Sequence, residues 1–193
     1  QLLSGFSEGS IKHALAKVEK LAAKQQVKYT LSAQQDVTVL FELIDDCINL
    51  GTVPFSILAR HGFIAKTLVD SLARCGILSI KDVNQIQSGF NTVASDLVGD
   101  MHKMQIGELP RQSFMAKYGH LRPGTYDILS RRYDQMPDLG EGESKNSYQK
   151  GYKRFELTER QRLKINHLLS AEGYEGFGVD ELFEYIKSAT VGR

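Results

Sequence analysis

The chain has 193 residues, a formal charge of +1, 41% hydrophobic residues and 24% charged ones. So even a balance gives no global field for nucleic acid or an anionic membrane, and no apolar run reaches membrane-spanning length, so neither partner is expected. The length suffices for one good core, or two small ones, without disulfide staples. Cys47 and Cys75 lie inside helical patterns, with no CxxC or Cys/His ligand spacing, and are expected as buried free thiols in a reducing, cytoplasmic compartment.

Apolar residues recur at helical spacing along most of the chain. Ile11, Leu15, Val18 and Ala22 share one face of a first helix that Ser10 is placed to cap. Val37, Leu40, Phe41, Ile44 and Ile48 form the apolar face of a second, which Gly51 is expected to end. Pro54 suits the first turn of a third helix, with a stripe of Ile57, Ile64, Leu68 and Leu72 running to Gly76. Val83, Ile86, Phe90, Val93, Leu97, Met101 and Met104 alternate three and four apart, which predicts one long fourth helix and a bundle seam. Gly107 and Pro110 break that pattern before a short helix over Arg111–Tyr118. Thr158 and Gln161 make a capping box for a helix through Leu163, Ile165, Leu168 and Leu169, closed at Gly173, and a last helix uses Val179, Leu182, Phe183 and Ile186. The expected fold is all-α, an irregular multi-helix bundle with a short C-terminal helical pair. Its parts are a bundle over 1–107, a short helix and turn segment over 108–136, a polar glycine-rich linker over 137–154, and the pair over 155–193 packed on the same domain. The chain begins at Gln1 and ends at Arg193 directly after a helical pattern, which reads as an excerpt of a longer protein.

The stretch KYGHLRPGTYDILSRRY, Lys117–Tyr133, departs from generic helix. Pro123 and Gly124 predict a type II turn, proline presetting φ at the first central position and glycine accepting positive φ at the second. Around it stand His120, Arg122, Tyr126, Asp127, Arg131 and Arg132, more polar side chains than packing requires. Guanidinium forks match phosphate or carboxylate oxygens two at a time, so a small anionic substrate would suit the three arginines. Asp127 and Asp134 are equally placed to pair with them in a structural network, and His120 is placed either to carry a proton or to tie the turn to a neighbour.

YGHLRPGTYDI followed by SRRYDQMPDL resembles the central helical region of the phosphoenolpyruvate synthase and pyruvate phosphate dikinase-like family, related to rifampin phosphotransferases. The resemblance covers about Phe114 to Leu139. Leu121 and Thr125 differ from the better-known synthases, which implies a divergent subfamily. It implies a domain that frames an acceptor-substrate site or joins an ATP-grasp domain to a phosphohistidine domain, with those domains as partners and with ATP and magnesium serving the parent enzyme.

Within the chain itself there is no phosphate loop, dinucleotide fingerprint, nucleophile elbow or TSH-type phosphoacceptor segment. The five histidines lack the i, i+3 or i, i+4 spacing of a metal-gripping helix face. No catalytic residue, metal or cofactor is therefore assigned to this chain, and a fragment inactive alone is expected. The alternative function is a non-catalytic helical interaction or scaffold module.

Overall fold

The computed structural model describes residues 9–25, 36–90, 92–124, 127, 129–137, 139 and 155–192. In chain order the helices are α1 (Ile11–Gln25), α2 (Asp36–Asp46), α3 (Val53–Arg74), α4 (Ile80–Ser88), α5 (Val93–Gln105), α6 (Arg111–Tyr118), α7 (Glu159–Ala171) and α8 (Val179–Val191). A π-helical segment, Cys47–Thr52, joins α2 to α3, and a 3₁₀ turn occupies Tyr133–Gln135. No strand occurs among the described residues, so the fold is all-α. Contacts gather the chain into two compact units, Gln1–Phe90 with Arg154–Arg193, and Asn91–Lys153. The first boundary thus falls at Phe90 rather than at the expected 107. Most of the expected linker over 137–154 lies outside the described residues.

In the first unit, α3 and α8 build the core. The helix α3 buries Leu58, His61, Gly62, Ala65, Val69 and Leu72, and α8 buries Val179, Leu182, Tyr185, Ile186 and Ala189. Ile11 and Ala14 of α1, Ile86 of α4 and Ile165 of α7 complete it. Each such fully buried aliphatic side chain contributes about 1.5–3 kcal/mol relative to exposure. The α3 stripe is rotated one residue from the expected one, and Ile64 is exposed. The rotation brings His61 inward, where Nε2 donates to the Gly9 carbonyl and Nδ1 accepts from the Tyr185 hydroxyl, both at 2.9 Å. That pattern satisfies both ring nitrogens of a neutral imidazole.

The second helix does not stop at Gly51. Thr52 and Val53 keep right-handed helical angles, and the Val53 N–H bonds the Ile48 carbonyl five residues back, so the chain runs from α2 through a widened turn into α3. Gly51 faces α1, where a Cβ would meet Leu21 Cδ2 at 3.4 Å, an ordinary van der Waals contact, so space there does not require glycine. Gly76, with φ 68°, closes α3: its N–H bonds Ala73 O at 2.9 Å and Ile77 N bonds Leu72 O at 3.0 Å.

The seam predicted over Val83–Met104 is broken. After α4 ends, Thr92 is extended (φ −114°, ψ 159°), its hydroxyl accepts from Ser95 N, and Ser95 Oγ accepts from Thr92 N at 2.8 Å. This local cap outcompetes the apolar period, which leaves Val93 exposed and places α5 in the second unit. The second unit has a small core of its own around Phe114, which is wholly buried, with ring centroids 5.0 Å from Tyr118 and 6.2 Å from Tyr133. Both cysteines prove exposed rather than buried: Cys47 lies in the π segment and Cys75 just beyond α3, off the faces these helices bury.

Candidate functional site

The helix α6 leads into the segment the sequence singles out. Directly after Tyr118, the Gly119 carbonyl accepts from Asp134 N at 3.0 Å and the Leu121 carbonyl accepts from Tyr133 N at 2.9 Å, so backbone bonds close the loop at its base. Glycine is required at 119, because a Cβ would clash with the Met115 carbonyl and sit 3.1 Å from Asp134 Cβ. At the tip the expected type II turn is not formed, since Gly124 is not in the left-handed region. Its role is close approach: a Cβ would lie 3.1 Å from Ser130 Cβ, and the Gly124 carbonyl accepts from both Asp127 N and Ser130 Oγ at 3.1 Å.

Most of the expected anion-binding groups are engaged within this loop. The half-buried Arg122 donates to the Ser130 carbonyl. Arg132 donates from Nε to Asp134 Oδ1 at 3.0 Å and from Nη2 to Oδ2, a bidentate pair. Arg132 chiefly, and Arg122 to a smaller extent, hold the Asp134 carboxyl below the usual range. Asp127 Oδ1 accepts from Leu129 N at 2.9 Å, an Asx-type bond. Pro123 is exposed, and so are His120 and Arg131. Tyr126 lies outside the described residues.

A second polar cluster, unmarked in the sequence, joins α6 to α5. Asp100 accepts from Lys117 Nζ and from Tyr118 Oη at 2.9 Å, and from Lys103 Nζ at 3.1 Å. Lys117, then Tyr118 and Lys103, lower the Asp100 pKa to about 2. The Lys117 ammonium also stands 4.8 Å from the Tyr118 ring centroid and has its pKa raised by Tyr118 and Asp100. Every polar partner here is matched, which is the condition of a clamp between helices.

In the first unit a cavity of about 240 Å³ is lined by Gly62, Ala65, Val69, Ile86, Phe90 and Ile186, with Lys66, Gln87 and Thr190 among its lining residues. Lys66 pairs with Asp70 at 2.6 Å and Thr190 Oγ1 donates to the Ile186 carbonyl, so polar groups do not converge on it as catalysis needs. Among the described residues no three His, Cys, Asp or Glu side chains are grouped to hold a metal ion, and no helix is long and apolar enough to cross a membrane.

The surface that stands out is α2 with the start of the π segment. Val37, Leu40, Phe41, Ile44 and Ile48, the apolar face expected to be core, are between 47% and 67% exposed. Every described side chain of α2 except Val39 and Asp46 is exposed. No family model matches the chain, and neither a curated protein nor a solved structure matches it.

Proposed function

We propose that this chain is a non-catalytic helical interaction module whose working surface is the apolar face of α2. The observation that carries it is the exposure of five large apolar side chains on one helix face, held out on a continuous extension of α3. Patches of this kind mark interaction sites, whereas singly scattered apolar residues do not. Supporting it, Arg122, Asp127 and Arg132 are engaged by their own loop, which leaves few groups to grip a substrate. The resemblance over Phe114–Leu139 implies a compatible role, a helical region joining the domains of an ATP-dependent phosphotransferase. Of its acceptor-site half, exposed His120 and Arg131 are the support that remains.

The test is stability. Phe41→Asp with Ile44→Asp in the full chain should leave unfolding free energy within about 1 kcal/mol of the parent, as for surface substitutions. If the face is instead core, the double variant loses several kcal/mol and the thermal midpoint collapses.

A further inference from the structure

The charge around the face bears on what covers it. From Tyr29 to Ala59 the chain has no Lys or Arg, while Asp36, Glu42, Asp45 and Asp46 all fall on α2. Asp46 is neutralised by Lys24 of α1 at 2.6 Å. Glu42 and Asp45 stay exposed, Asp45 accepting only the neutral amide of Asn49 at 2.8 Å. At 100° per residue, Val37, Leu40, Phe41 and Ile44 share an arc of roughly 100°, with Asp45 on its flank.

Resting on the module reading above, we infer that the α2 face docks an amphipathic helix of a partner protein, with apolar residues at i, i+3, i+4 and i+7 and Lys or Arg along its flanks. A single helix laid along an apolar face is a recurrent recognition mode. A second copy of this chain would bring the same Asp45-bearing flank against itself, because a two-fold contact pairs a patch with itself. An anionic membrane favours the opposite polarity, since helices lying on membranes carry Lys and Arg on their polar face.

The test is fluorescence anisotropy of two labelled synthetic helical peptides with identical leucine spacing, one with lysine and one with glutamate at every polar position, titrated with the full chain. The lysine peptide should bind about tenfold or more tightly, with the margin shrinking as salt is raised. Phe41→Asp with Ile44→Asp should abolish binding. Glu42→Lys with Asp45→Lys, which alters only exposed charges, should reverse the preference between peptides. Equal binding of both peptides, or binding undiminished by either double variant, overturns the inference. So does self-association in sedimentation, or capture by anionic vesicles, without binding of the lysine peptide. If Phe41→Asp with Ile44→Asp folds stably and neither peptide binds, the partner chemistry is wrong while the exposed module stands; if that variant unfolds, the module reading itself has failed.

Discussion

Asp100 ties two helices of the second unit through one carboxylate, and its depressed pKa makes that tie acid-sensitive. Its folded pKa lies below its unfolded one, so its contribution is present above about pH 4 and is lost as pH falls toward about 2. Acid denaturation followed by circular dichroism should show this, and Asp100→Asn should flatten stability over that window while lowering it at neutral pH. A variant with an unchanged acid limb would mean the clamp is inert. None of this was legible in the sequence, because Asp100 and Lys117 are distant along the chain and nothing local marks the pair. The glycine at 124 was legible as a turn residue but with the wrong cause: Pro-Gly pointed to backbone φ, whereas what favours glycine there is the close approach of Ser130. His120 and Arg122 illustrate the same limit, since a list of polar residues does not say which ones a loop uses for its own closure.

Helix ends divide into those written locally and those set by contacts. The stop at Gly76, the break at Gly107 and the box at Thr158 were readable because capping chemistry lies within a few residues. Thr92 and Ser95 carry the same signature in a weaker form, and the apolar spacing through Phe90 masked it. Thr92→Ala should therefore cost about 1 kcal/mol, seen as a lower urea midpoint with faster amide exchange confined to the first turn of α5. Exchange unchanged there would show that the cap does not hold the helix start. The π segment has no such local code, and α2 was misjudged for a related reason: periodicity identifies an apolar face without saying whether anything covers it.

The molecule as a whole contains two separate cores, of unequal size, where the sequence suggested one bundle with appendages. Phe114 anchors the smaller one, so Phe114→Ala should cost that unit about 3–5 kcal/mol. Amide exchange should then rise across α5 and α6 while the amides of α3 and α8 keep their protection; collapse of both sets together would show a single cooperative fold. The division between cores explains why the Val83–Met104 period misled, since its apolar positions serve two interiors. A comparable mismatch lies between α2 and α3. Ile44, Ile48, Gly51, Phe55, Leu58, Gly62, Ala65, Val69 and Leu72 alternate four and three apart, a stripe that along an unbroken α-helix would drift by only about 20° per heptad. The extra residue accommodated by the widened turn at Cys47–Thr52 shifts the azimuth of everything before it by about 100°. One uninterrupted score thus takes two bearings: from Leu58 onward it faces the interior, while Ile44 and Ile48 before the turn, and Phe55 just after it, face water. Which way the arm's apolar side looks is therefore governed by chain length at that turn, so that losing a single residue there would re-aim the arm while every apolar side chain stayed the same.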